Sequence, residues 1–220
     1  MMVGRGRNMW YNVFIIFGGL PPPKPPVIFG GPSPLKTPAR FLPRGNENLK
    51  EEAMVIIGID PGYAIVGIGV VEYRGNKFRT LEYSAITTPA GMPTVERLKK
   101  IYTEMTSYLI KYDPDAVAIE ELFFNSNQKT AINVAQARGV LLVAAANANV
   151  PICEYTPLQV KQAVTGYGRA DKKQIQQMVK MLLGLNAIPK PDDAADALAI
   201  AICHAHSRKM NNMLGVNGVR

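Results

Sequence analysis

The sequence predicts an α/β domain in which a mixed five-stranded sheet is flanked by helices. Two observations carry this. Three apolar, β-branched strands follow one another between Val55 and Thr87 with only turns between them. From Thr94 onward, helical periodicities alternate with two short apolar strands, after which the chain is helical to its end region. Strands joined by hairpins are antiparallel and strands joined across helices are parallel, so both regimes in one chain imply a mixed sheet covered by helices.

Val55–Asp60 is a nearly unbroken apolar run, the pattern of a strand buried on both faces. Pro61-Gly62 turns the chain, and strands follow at Ile65–Tyr73 and Phe78–Thr87, separated by the hairpin signal Arg74-Gly75-Asn76. Thr94 is placed to cap a helix whose apolar face is Val95, Leu98, Ile101, Tyr102, Met105 and Leu109, with Asp113-Pro114 ending it. Ala116–Glu120 is a short strand. A helix over about Gln128–Asn147 is apolar on most faces in its later part, which predicts burial. Pro151–Tyr155 is the fifth strand. Thr156-Pro157 then caps a helix through about Val164, the loop Gly166–Ala170 follows, Asp171 caps Lys172–Leu183, and a last helix runs from about Asp193 to Lys209.

Residues 1–53 differ in character. They hold nine of the 17 prolines and seven of the 19 glycines, a composition expected to be disordered. Lys50-Glu51-Glu52-Ala53 also matches an in-frame reading of a purine-rich ribosome-binding site ahead of Met54. The expected organisation is a functionless extension at 1–53, disordered or lying ahead of the true start, a folded α/β domain at 54–209 and a flexible tail at 210–220. The run Met9–Leu20 lacks a small-residue cleavage site and is not read as a signal peptide. No stretch is long enough to span a bilayer, and the expected location is the cytoplasm. Cys153 and Cys203 each sit in apolar runs and read as small buried hydrophobes in a reduced compartment. The formal net charge of +8 favours a polyanionic partner.

The chemistry lies in where the carboxylates fall. Asp60 ends the first strand and Glu120 ends the fourth. Ligands of open α/β sheets bind outside the carboxyl ends of the strands, so parallel neighbours would set these two acids side by side. Asp193 and Asp196 open the last helix three residues apart, about 60° around its axis, with small Ala194 and Ala195 between them. Gathered acids repel one another unless cations lie between them. Four carboxylates balance two Mg²⁺, and hard oxygen donors suit Mg²⁺ with Mn²⁺ as substitute; such ion pairs hydrolyse phosphodiesters. Each acid alone has a plainer reading: a turn former at Asp60, a helix cap at Asp193, a first-turn charge at Asp196. Glu120 resists one, because glutamate is disfavoured at the end of an apolar strand.

Phe123-Phe124-Asn125 follows Glu120 closely, with one phenylalanine assigned to the core and one to stacking on unpaired bases. Lys161, Arg169, Lys172 and Lys173 read either as a phosphate track or as a solvated helix face. Arg138-Gly139 followed by Val140–Ala146 reads either as a surface for a second copy or as core. His204 and His206 are expected on the surface of the last helix.

As a set, Gly58-Ile59-Asp60-Pro61-Gly62, Ile119-Glu120 with Phe123, Gln136-Ala137-Arg138-Gly139 and Asp193-Ala194-Ala195-Asp196-Ala197-Leu198-Ala199 resemble the RuvC family of bacterial Holliday-junction resolvases, over about residues 54–207. The resemblance implies a ribonuclease-H-like fold and a homodimer that nicks two strands of a four-way DNA junction symmetrically with Mg²⁺. It implies metal-binding catalytic roles for Asp60, Glu120, Asp193 and Asp196, base stacking by Phe123, and DNA contact by Lys161 and Lys172. It also implies work alongside a branch-migration motor complex. Two rivals remain in view: a non-catalytic junction-binding protein on the same scaffold, and an actin-like ATPase, whose first phosphate loop Gly58–Gly62 also resembles.

Overall fold

The structure, a computed structural model, describes residues 53–122 and 128–213, with the side chains of 128–130 and 209–213 outside that set. In chain order the elements are β1 (Met54–Asp60), β2 (Ile65–Arg74), β3 (Lys77–Thr87), α1 (Thr94–Tyr112), β4 (Ala116–Glu120), α2 (Gln128–Asn147), β5 (Ile152–Tyr155), α3 (Pro157–Thr165), α4 (Lys172–Leu182) and α5 (Asp192–Met213). Phe123, Phe124 and Asn125 lie outside the described residues, as do residues 1–52.

The sheet order is β3-β2-β1-β4-β5. β1 and β2, and β2 and β3, are antiparallel, as hairpins require; β1 and β4, and β4 and β5, are parallel, as helical crossovers require. The mixed five-stranded sheet expected from the element order is therefore present. Its two faces are covered separately. Ile57, Ile59, Ile68 and Val70 pack under α1 and α2 with Ile101, Met105 and Leu141. Ile56, Val71 and Ala118 pack on the other face beneath α5, with α3 and α4 outside it through Val160, Ile175 and Val179. Burial on both faces explains why β1 reads as a continuous apolar run.

α5 lies unusually deep on its face. From Ala197 to Ala205 every residue is buried, and Ala194 and Ala195 are 0% and 1% exposed. The small alanines contribute as expected, but three glycines of the sheet contribute more. A Cβ built on Gly58 would stand 2.1 Å from the Ala197 carbonyl oxygen, and one on Gly69 would stand 2.7 Å from the Leu198 nitrogen. A glycine inside a strand marks a close approach of another backbone, and here that backbone is α5.

Helix starts follow the sequence signals at α3 and α4. Thr156 and Asp171 each accept a hydrogen bond from the backbone N–H three residues on, while Gln159 and Gln174 reach back as reciprocal caps. α1 differs from expectation. Pro93 occupies the cap position and Thr94 is already helical, its hydroxyl accepting from Tyr63 at 2.8 Å. Cys153 is half-buried and Cys203 buried, both as free thiols. His204 is not a surface residue: it is 5% exposed, and its Nδ1 lies 2.8 Å from the Tyr155 hydroxyl. The helix reading failed there because α5 is covered on every side by the sheet, α3 and α4, so no face of its middle turns reaches water.

Candidate active site

Asp60 and Glu120 stand at the same mouth. β1 and β4 pair in parallel with Ile59 opposite Ile119, so the next residue of each strand carries its acid out at the carboxyl edge. The glycine-lined seat of α5 brings the first turn of that helix to the same edge, with Gly67, the β1–β2 partner of Asp60, directly beneath Asp193. Three separate segments thus meet at one place.

The electrostatics report that meeting. Burial comes first, then the carboxylates of Glu120, Asp196 and Asp193; together they push Asp60 up to about 7 against the opposing Lys172 ammonium. Asp60 as a residue is only half-buried, but its carboxyl is enclosed by these neighbours. Burial and then Asp196 also raise Glu120, with Lys161 opposing. Burial raises Asp196, while a hydrogen bond from Lys172 pulls the other way. Each of these acids gives up its proton less readily than a free carboxyl, the signature of a cluster short of positive charge.

Lys172 is the cation that partly meets the shortage. Its Nζ lies 3.1 Å from Asp196 and 3.6 Å from Asp192, which Lys190 also holds at 2.7 Å. Asp192 is a fifth acid at this edge that the sequence reading passed over; its position next to Asp193 was the available signal. Of the basic residues named from sequence, Lys172 pairs with Asp196, and Lys161 acts on Glu120 electrostatically. Arg169 and Lys173 are exposed on the loop before α4 and on its first turn, and neither forms an ion pair with them. Arg138 of α2 donates from Nε to the Glu120 carbonyl at 3.4 Å and pairs with Glu154, bracing the end of β4. Glu121 lines a groove with Leu142, Val143 and Glu154 on the α2 side.

Among the described residues, no three histidine, cysteine or carboxylate side chains already converge on a single ion position. The donors are all hard oxygens, and the burial and mutual repulsion that oppose their ionisation are relieved by added positive charge. The residues fit a divalent cation.

A family model described as crossover junction endodeoxyribonuclease RuvC matches residues 56–204. The crossover junction endodeoxyribonuclease RuvC of Alkaliphilus oremlandii is 62% identical over 163 residues, covering 74% of this chain and 99% of that protein. That of Halothermothrix orenii is 59% identical, covering 75% and 100%. Among solved structures, Thermus thermophilus RuvC in complex with Holliday junction substrate superposes with a TM-score of 0.70 at 43% identity, covering 72% of this chain and 96% of that one.

Proposed function

This chain belongs to the RuvC family of crossover junction endodeoxyribonucleases, and we propose that it resolves four-way DNA junctions at Asp60, Glu120, Asp193 and Asp196. It is a ribonuclease-H-like endonuclease, and the actin-like alternative falls with the family assignment. The supporting observation is a single one: at the carboxyl edge of the sheet, burial first and then the neighbouring acids Glu120, Asp196 and Asp193 push Asp60 up to about 7. Carboxylates perturbed by burial together with like charge cluster at functional sites.

The four carboxylates are the proposed holders of two Mg²⁺ ions, with Mn²⁺ able to replace them. When bound, divalent ions neutralise charge at the scissile phosphate and acidify the attacking water. The chain's own residues do the rest. Asp60 and Glu120 supply oxygens from rigid strand ends, and Asp193 and Asp196 supply them from the first turn of α5. Lys172, already in contact with Asp196, and Lys161, near Glu120, are the proposed phosphate contacts of the cut strand. Arg169 and Lys173 extend that track more distantly. Phe123, in the segment after β4, is proposed to stack on an unpaired base. The nuclease itself is assigned to residues 54–209, with no function given to 1–53 or to the tail at 210–220.

A homodimer is the proposed working form, since a junction offers two equivalent strands to a two-fold enzyme. One stripe of α2 supports it: Ile132 and Val143 are 60% and 53% exposed, with exposed Gly139 between them and nothing within 4 Å of a Cβ built there. The opposite stripe of Ala137, Leu141, Ala144 and Ala145 is core, and the exposed stripe is the one proposed for a second copy. Cytoplasmic location and a branch-migration motor partner are further proposals; no helix among the described residues is long and apolar enough to cross a membrane.

The test is to incubate the full chain with a synthetic four-way junction, a linear duplex and a flap, with and without Mg²⁺. Cleavage confined to the junction and to Mg²⁺ is expected. Asp193→Asn with Asp196→Asn should abolish cutting while junction binding survives. Unchanged cutting by that double variant would remove the metal assignment, and a parent that binds junctions without ever cutting them would make the protein a structural binder.

A further inference from the structure

We infer that Gly67 is a positioning residue of the acid site, fixing by the absence of a side chain how closely Asp193 approaches Asp60. The inference rests on the reading of the four acids as a metal site and concerns how their spacing is set. Along β1 and β2, the opposed pairs facing α5 run Met54 with Tyr73, Ile56 with Val71, Gly58 with Gly69, and Asp60 with Gly67. Directly opposed residues of an antiparallel pair share a face. Side-chain bulk therefore falls away along the strands, from tyrosine and methionine at one end to nothing but the acid at the other. A helix laid on such a wedge tilts down at its thin end, and that end carries Asp193 and Asp196.

Gly58 and Gly69 seat the helix further along, under Ala197 and Leu198. Gly67 differs because it lies under Asp193 itself. A Cβ there would stand 2.0 Å from the Asp193 carbonyl oxygen, 2.5 Å from its carbon and 3.2 Å from its Cα. All three are backbone atoms, so no rotamer change relieves the overlap and the first turn must lift. Ordinary contact begins at 3.4 Å, which requires a withdrawal of 1.4 Å (3.4 − 2.0). Displacements of about 1 Å in a reacting constellation cost roughly 10²-fold in rate. The added carbon of a glutamate extends a carboxylate by about 1.5 Å, close to the same distance.

Five variants of the full chain test this: Gly67→Ala, Gly67→Ala with Asp193→Glu, Asp193→Glu alone, Asp193→Asn, and Ile202→Ala. Binding of Mn²⁺ without DNA is followed by electron paramagnetic resonance, and melting by circular dichroism. Gly67→Ala is expected to weaken Mn²⁺ binding by about tenfold or more and Mg²⁺-supported cleavage by about 10²-fold. Ile202→Ala, a buried core residue two turns beyond the acids, should lower the melting temperature and leave Mn²⁺ affinity at the parental value. Adding Asp193→Glu to Gly67→Ala should recover most of the lost affinity, whereas Asp193→Glu alone should lose it, having no room for the extra carbon. Parental affinity in Gly67→Ala, or no recovery in the double variant, overturns the inference. Should Gly67→Ala fail to fold, Asp193→Glu alone decides, because parental affinity there means the spacing is not tight. Asp193→Asn separates the two levels: parental Mn²⁺ affinity in that variant removes the metal site itself, not merely the role of Gly67.

Discussion

Replacing Asp60 by asparagine should make the metal-free protein more stable, and only above acidic pH. The folded protein holds the Asp60 proton up to about 7, whereas the unfolded chain releases it near the ordinary 3.8. A raised carboxyl value means that ionisation opposes folding. The penalty is absent below the unfolded value, grows as pH rises through the interval, and is complete above the folded one. At 1.36 kcal/mol per pH unit it amounts to about 1.5 kcal/mol at pH 5 and about 4 kcal/mol above pH 7. Asparagine must still find partners for its amide, so a net gain of roughly 2–4 kcal/mol is expected at pH 8. For a domain of this size that raises the melting temperature by roughly 5–15 °C.

The assay is a pair of urea or thermal unfolding series on parent and Asp60→Asn, in EDTA, from pH 4 to pH 8. His204 is pushed down to about 4 by burial, so it destabilises both proteins alike as pH falls below 6.5 and cancels in the difference. The margin between the two should close towards pH 4, and adding Mg²⁺ at pH 8 should stabilise the parent far more than the variant. A variant no more stable than the parent at pH 8, or one ahead by the same margin at pH 4, refutes the reasoning.

Lys161→Ala and Lys172→Ala should each lower the slope of log affinity against log salt for junction binding by about 0.9, measured by fluorescence anisotropy at several salt concentrations. An unchanged slope means that neither ammonium touches the phosphate backbone. Tyr155→Phe removes the hydroxyl at His204 Nδ1 from a ring whose Nε2 already has no hydrogen-bond partner, and should cost about 1–3 kcal/mol in urea unfolding. A variant of parental stability would mean the bond contributes nothing. Val143→Glu, on the exposed stripe of α2, should convert a dimer to monomer in sedimentation velocity without lowering the melting temperature. A dimer that persists puts the interface elsewhere.

Much of this was legible before any coordinate. The unbroken apolar run of β1 announced burial on both faces, because only a strand covered twice excludes polar residues so completely. The caps at Thr156 and Asp171 were readable because capping is a local bond between residues three apart. Thr94 misled for the same reason: its hydroxyl has the capping chemistry, but Tyr63, brought alongside by the β1–β2 turn, engages it instead. His204 misled because helical periodicity says which residues share a face and not how many faces a neighbouring layer covers.

The sequence by itself determined the four acids as candidates, since carboxylates ending apolar strands and opening an alanine-rich helix are legible as types at positions. It determined the order of strands and helices too, because those depend on side-chain periods of two and 3.6 residues. Only the tertiary structure decided that the acids lie within electrostatic reach of one another, that Lys172 pairs with Asp196 and Asp192, and that Gly67 lies beneath Asp193. Such distances belong to the packing of α5 on the sheet, which sums contacts between residues more than a hundred positions apart. A glycine at the seat of a helix carries no pattern of its own; its meaning is the atom that occupies the space it leaves.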